Sequence, residues 1–419
     1  MVHLLKIEPD VEVGSLNRAI DTEIDHHLRM LCKEIGCRPI GSPANRTAAA
    51  YIATVFRSAG LETEELTFHC PDWRDEGTLL EVDGRPLAAY ANAFSPSCSE
   101  EAPGILLGTE GELLAAELTG RIGILYGDLA RGPLTPKSCT LYPADRDWRI
   151  VDMLTEKHPL ALVTVNPKPG LRVRVIEDWD FPIPSATVAA AAGRELMQGI
   201  SSGSRIRLRI DSNSRPGRAA HVIGRKRNQG EQRIVLCAHF DTKIDTPGAV
   251  DNAGGTAALL ALADMLVSKK LPVGLEFVAF NAEEYGGTQN DSDLYFQHYG
   301  DRLGTVLAAV NMDGIGYSVS SNNVATFAAS DALTGEVERL LQGFPRMHWT
   351  EPWPQSNHSS FAFRGVPSVA LSSGAWEVAH RPEDSLEWVS PEKLSEAAIF
   401  AAGLAGSLAD RSLEWTRPS

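Results

Sequence analysis

At 419 residues, with 43% apolar and 22% charged side chains, the chain has the composition of a globular protein and the length of two domains rather than one core. A formal net charge of −15 opposes binding to nucleic acid or to an anionic membrane surface and is read as solubility. The cysteines, Cys32, Cys37, Cys70, Cys98, Cys139 and Cys237, form no C-x-x-C pair and no framework spacing, so reduced thiols are expected.

The first residues, MVHLLKIEPDVEVG, hold too short an apolar run before Glu8 and Asp10 for a signal peptide, and no stretch reads as membrane-spanning. A cytoplasmic protein is therefore expected, or a secreted one if a leader has been clipped. Apolar residues then recur at helical spacing over 21–35 and again over 45–59, where Gly60 stands as a stop. The adjacent His26 and His27 point different ways on a helix, which suits surface or packing roles rather than ligation. Residues 61–68 alternate like an outer strand.

Between 72 and 184 the character changes. Short β-like runs at 78–82, 121–126 and 160–165 are separated by Gly and Pro, with helical patterns at 110–117 and 150–157, and no ligand-like cluster appears. This reads as a smaller β-rich domain inserted into a chain whose main domain is 1–71 and 185–419. Beyond Pro184, helices at 188–198, 254–268 and 292–299 alternate with strands at 205–210, 219–224, 233–238, 275–281 and 305–312. Such alternation predicts an α/β sheet with helices on both faces, whose ligand crevice lies beyond the carboxyl ends of the strands.

The stretch CAHFDTKIDTPGAVDNAGG, residues 237–255, sits at one such strand end. Alternation along extended backbone sends His239 and Asp241 the same way and Phe240 the other. Asp251 follows at a loop-to-helix junction. Glu283 and Glu284 lie just past strand 275–281, Asp313 just past strand 305–312, and His380 in a proline-marked loop before a C-terminal helix at 391–408. Two imidazoles and three carboxylates, from His239, Asp251, Glu284, Asp313 and His380, match the ligand preference of zinc. One bridging carboxylate would hold two ions about 3.5–4 Å apart around a shared water or hydroxide. Glu283 is then free to act as general base, and Asp241 to fix the tautomer of His239.

The motifs His239-Phe-Asp241, Gly248-Ala-Val-Asp251-Asn252-Ala-Gly-Gly255, Glu283-Glu284-Tyr-Gly286, Asn311-Met-Asp313-Gly-Ile-Gly316 and His380-Arg-Pro-Glu-Asp384 resemble those of the co-catalytic di-zinc aminopeptidases, the family of aminopeptidase Y and glutamate carboxypeptidase. The resemblance implies a zinc-exopeptidase-like fold: a mixed, mostly parallel sheet with helices on both faces. It implies two Zn2+ ions, with Co2+ or Mn2+ as substitutes, and a peptide substrate. Asp251 would bridge, His239 and Asp313 would hold one ion, Glu284 and His380 the other, with Glu283 as base, Asp241 orienting His239, and a cis peptide at Asp251-Asn252.

It further implies that 72–184 is a protease-associated domain, with Leu118-Thr119-Gly120-Arg121-Ile122 and residues 181–186 resembling its strand edges. Where members carry Ser-Asp-His or Ser-Asp-Tyr, this chain has Ser356-Asn357-His358; His358 remains a candidate donor to a developing oxyanion, and the lost acid bears on recognition of the peptide's charged end. The usual Gly-Ser after the paired glutamates is Gly287-Thr288-Gln289-Asn290 here. Trp349, Trp353 and Trp376 either line an apolar side-chain pocket or are core. An aminopeptidase is the expected activity. The alternatives are a carboxypeptidase or dipeptidase-type amidohydrolase, disfavoured by the short spacing from His239 to Asp251; a glutaminyl cyclase; and a metal-free binding protein on the same fold, which degraded ligands would mark.

Overall fold

Every residue of strand Arg233–His239 is buried, as expected of a β-branched apolar run covered on both faces. The computed structural model describes residues 13–137, 144–166, 174–201, 203–228, 230–285 and 292–418; the first twelve residues weighed as a leader, Cys139 and the motif positions 286–290 lie outside them. Arg233–His239 pairs in parallel with Gly274–Phe280 and with Val306–Met312. Val306–Met312 pairs in parallel with Ser368–Ser373. Asn322–Phe327 lies antiparallel to Ser368–Ser373 and carries Met347–Trp349 in parallel, while residues 222–226 run antiparallel to Gly274–Phe280. The sheet is mixed and mostly parallel.

Alternation along these strands divides the core between two faces. Ile234, Leu236 and Ala238 meet Ile20, Ile24, Ile52, Leu259 and Phe400, from helices Val13–Arg29, Pro43–Ser58, Gly254–Val267 and Pro391–Leu408. Val235 and Cys237 meet Tyr295, Phe296 and Phe361, from helices Ser292–Tyr299 and Asn357–Ala362. Each large aliphatic or aromatic side chain so buried contributes about 1.5–3 kcal/mol. The stretch Ala249–Val267 is long and apolar enough to cross a membrane by length and composition, a feature the sequence reading passed over, but 83% of it is buried inside the protein. Its apolarity is that of a helix covered on all sides.

Contacts divide the chain into two units, Met1–Phe68 with Ala219–Ser419, and His69–Arg218. The second unit has its own sheet, in which Cys98–Leu107, Ile122–Leu125, Ala161–Val165 and Ser185–Val188 are parallel neighbours in that order. Ala89–Ala91 and residues 205–210 pair antiparallel at its two sides. Its core includes Leu107, Leu113, Leu125, Ile150 and Leu162. Helix Ala190–Ser201 and residues 205–210 pack on Cys98–Leu107 and go with this unit, beyond the 184 boundary expected from sequence.

Two strands expected at 205–210 and 219–224 are one, Arg205–Lys226, and the strand expected at 61–68 runs on as Glu62–Val82. The polar run Asp211-Ser-Asn-Ser-Arg-Pro-Gly-Arg218 reads as a loop, yet it stays extended because Arg205–Lys226 and Glu62–Val82 pair with each other. Gly217 permits the approach: a Cβ there would lie 3.0 Å from the Asp72 nitrogen and 3.1 Å from the Cys70 oxygen. At the N-terminus the first helix spans Val13–Arg29, and its last turns widen over Met30–Ile35. His27 is a packing residue, its Nδ1 at 2.6 Å from the Tyr51 hydroxyl.

Candidate metal centre

Three parallel strands deliver chemistry at their carboxyl ends. Arg233–His239 ends on His239 itself. Gly274–Phe280 runs through Asn281 and Ala282 into a single 3-10 turn, Glu283–Tyr285, and Val306–Met312 hands on to Asp313. The turn Ala249–Ala253, ahead of helix Gly254–Val267, supplies Asp251. His380 follows strand Ser368–Ser373 in a loop where its own φ is +61°, a left-handed conformation of the kind that clusters at functional sites.

Asp251 is the common member of two ligand groups, His239–Asp251–Asp313 and Asp251–Glu284–His380, in each of which one donor atom per residue lies within 4.8 Å of the others. Its Oδ1 is 3.2 Å from His239 Nε2, and its Oδ2 is 2.9 Å from His380 Nε2. His239 Nε2 is also 3.2 Å from Asp313 Oδ1 and 3.8 Å from Glu283 Oε2, while His380 Nε2 is 3.2 Å from Glu284 Oε2. The structure thus brings together all five expected ligands and the expected base. His380 is the open member, with 46% of its side chain exposed.

The electrostatics are those of carboxylates crowded without enough positive charge. Burial, reinforced by Asp313, Glu284 and Asp251, pushes the Glu283 carboxyl well above its ordinary range, although His239 opposes the rise. Burial raises Glu284 in the same way, with the Asp251 charge adding to it. Burial also favours a protonated Asp251, but the bonds from His239 and His380 outweigh it and hold that group below the usual carboxylate range. For His239 burial disfavours the cation, yet the charges of Asp313 and Glu283 win and lift its pKa. Glu284 Oε1 is buried with no hydrogen-bond partner. An orphaned carboxylate oxygen among two imidazoles and three carboxylates is what a bound divalent cation resolves.

The surroundings fix these groups. Asp241 lies with Oδ1 3.4 Å from His239 Nδ1. Its two oxygens also accept from the backbone N–H groups of Glu283 and Glu284, each at 3.2 Å, so one carboxylate lies beside the imidazole and holds the acidic turn. The Asp251-Asn252 peptide is cis, as the resemblance implies. Asn252 Nδ2 donates to the Met312 carbonyl at 2.9 Å, and its Oδ1 accepts from Gly255 N at 2.9 Å. Only glycine fits at 255, where a Cβ would lie 2.2 Å from the Met312 oxygen.

Some members of the site were not read from the sequence. Asp384 was seen only as the end of a motif; its carboxylate accepts from Val250 N at 2.7 Å and from Asp251 N at 3.0 Å. Burial pushes that carboxyl up to about 7. Lys243 donates to the Glu284 carbonyl and has its Nζ 3.9 Å from Glu284 Oε2. A lysine two residues past Asp241 carries no signal of its own, because lysines in loops are usually solvated.

His358 is fully buried. Its Nε2 donates to the Trp353 carbonyl at 2.7 Å, and its ring packs on Phe327 and Trp353. Burial lowers its pKa to about 4, so it is neutral, and its single N–H is already engaged. Donation to an oxyanion requires that bond to be exchanged. Of the tryptophans, Trp353 is half-buried, Trp349 is on the outermost strand with 38% exposure, and Trp376 packs against Gly314, beside Asp313.

Comparison with known proteins agrees with this geometry. Residues 221–405 match the model of peptidase family M28. Aminopeptidase YwaD of Bacillus subtilis (strain 168) is 26% identical over 410 residues, covering 92% of this chain and 85% of that protein. Leucine aminopeptidase 2 of Trichophyton equinum is 23% identical over 365 residues, covering 83% of this chain and 70% of its own. Among solved structures, a zinc aminopeptidase from Bacillus subtilis superposes with a TM-score of 0.76 at 22% identity, covering 94% of this chain and 95% of that one. At that identity the likeness shows the fold.

Proposed function

We propose that the chain is a member of peptidase family M28, whose model matches residues 221–405, and that it is a di-zinc aminopeptidase, releasing amino-terminal residues from peptides. The observation that carries this reading is the Asp251 carboxylate, which turns one oxygen toward each imidazole. His239, Asp251 and Asp313 would hold one ion, and Asp251, Glu284 and His380 the other. When bound, the ions supply Lewis acidity, polarising the scissile carbonyl and activating a water.

The remaining work belongs to the chain. Glu283, 3.8 Å from His239 Nε2 and mostly enclosed, takes the water's proton and returns it to the leaving amine. Burial and the neighbouring carboxylates raise its pKa in the absence of the ions, and two bound dications would lower it again toward the carboxylate form a base requires. Asp241 keeps His239 in the tautomer whose Nε2 is bare. His358 stands in reserve as a donor to the oxyanion, once its N–H leaves the Trp353 carbonyl.

The unit His69–Arg218 is proposed as a non-catalytic protease-associated module, since both ligand groups found among the described residues lie in the other unit. A cytoplasmic location is also proposed, on the reduced thiols of Cys32, Cys37, Cys98 and Cys237.

The test is metal content of the purified protein together with hydrolysis of free aminoacyl and N-blocked peptides, before and after chelation. Two ions per chain, cleavage of free peptides only, and activity lost with the metal are expected. Equal cleavage of blocked and free peptides would overturn the aminopeptidase reading.

A further inference from the structure

Arg38 and Asn45, distant in sequence from every ligand, are both completely buried. They lie where the wide turn Met30–Ile35 passes into helix Pro43–Ser58. Arg38 donates through Nε to the Phe240 carbonyl at 2.8 Å, through Nη1 to those of Leu31, Gly36 and Pro247 at 2.9 Å each, and through Nη2 to that of Gly248 at 3.1 Å. Phe240 is the residue between His239 and Asp241, and Gly248 opens the turn that carries Asp251. This connection wraps the site largely outside strand pairing; Phe240 N donates to the Phe280 carbonyl and the Gly248 carbonyl also accepts from Ala253 N, while the carbonyls of Phe240, Pro247 and Gly248 all accept from Arg38. A guanidinium, with its rigid fork of N–H groups, serves all three at once.

Asn45 acts on the other acidic loop. Its side-chain amide exchanges two hydrogen bonds with that of Asn281, each 2.9 Å. Asn281 Oδ1 accepts in turn from Ala282 N at 3.0 Å, immediately before Glu283. Asn45 Nδ2 also donates to the Arg38 carbonyl at 3.0 Å, which joins the two supports.

We propose that Arg38 and Asn45 are positioning residues for the metal centre: Arg38 sets His239 against Asp251 by fixing the 240–248 connection, and Asn45, through Asn281, sets the turn bearing Glu283 and Glu284. The inference rests on the di-metal reading of the site. Burying a charge carries a desolvation cost, so the guanidinium is a poor source of fold stability by itself.

The experiment measures Zn2+ affinity by competition with a chromophoric chelator, alongside the melting temperature, on the full chain. R38M is expected to weaken binding about 10–100-fold, the usual effect of losing an outer support. R38K, which reaches fewer carbonyls, should fall between R38M and wild type, and it decides the matter if R38M does not fold. N45A should weaken one of the two ions, the one held by Glu284 and His380, more than the other. R225M, at a buried arginine beside Glu276, is the structural control and should lower the melting temperature without moving either affinity. Wild-type affinities in R38M and R38K with a lowered melting temperature would reduce Arg38 to a fold residue and overturn the inference alone. A wild-type chain that binds no ion would overturn the metal reading and this inference with it.

Discussion

Two groups of buried charges sit at opposite ends of the same parallel strands, and they are built on opposite principles. Toward the amino ends, Glu276 meets Arg225 at 2.6 Å and Arg233 at 3.8 Å and accepts from the Tyr295 hydroxyl, while Arg225 also meets Glu64 at 2.6 Å. Two carboxylates face two guanidiniums, and the group neutralises itself. At the carboxyl ends, Asp241, Asp251, Glu283, Glu284 and Asp313 surround two imidazoles with one lysine nearby, and a buried carboxylate oxygen of Glu284 has no hydrogen-bond partner. A cluster that serves the fold supplies its own counter-charge. One that serves chemistry is left short of positive charge, and that deficit is what recruits a cation.

Substitutions should separate the two ends. Glu283→Gln is expected to cost about 10²–10⁴ in kcat with both metals retained, measured by steady-state kinetics beside metal analysis; loss of metal instead would mean that Glu283 and Glu284 have exchanged roles. Arg225→Met leaves Glu276 buried with a broken pair, and should cost about 3–5 kcal/mol in a denaturant titration, while kcat of the folded protein holds. A change in kcat there would erase the distinction between the ends. Smallest is Ser390→Ala, which removes the hydroxyl that caps helix Pro391–Leu408 by accepting from Lys393 N. It should cost about 1 kcal/mol and leave metal content alone.

The candidate ligands His239, Glu284 and Asp313 were legible because each stands at or a few residues past the end of an apolar strand, a short-range pattern that periodicity exposes, while Asp251 and His380 were read from the turn and loop motifs that carry them. His239 and Asp241 share a side by simple alternation, and the glycine of Asp251-Asn252-Ala-Gly-Gly255 is demanded by the approach of the Met312 carbonyl. What escaped was whatever acts across the fold. Arg38 and Asn45 sit in Cys-Arg-Pro-Ile-Gly-Ser-Pro-Ala-Asn, which reads as a loop and a helix start, since nothing in it announces the carbonyls of Phe240, Pro247 and Gly248 as its partners. The extended run 211–218 escaped for the same reason, being polar and held by another strand.

From its residues alone this chain determines a donor set, the strands that present it, and the kind of cation it suits, because side-chain chemistry and strand periodicity are local properties. Tertiary structure decides that Asp251 is shared between two imidazoles, that His358 has its N–H committed to Trp353, and that a buried arginine holds the connection behind His239. Each of these depends on which backbone groups a sheet of non-sequential strands brings within 3 Å or so, the reach of a hydrogen bond, and that distance is set by packing rather than by order along the chain.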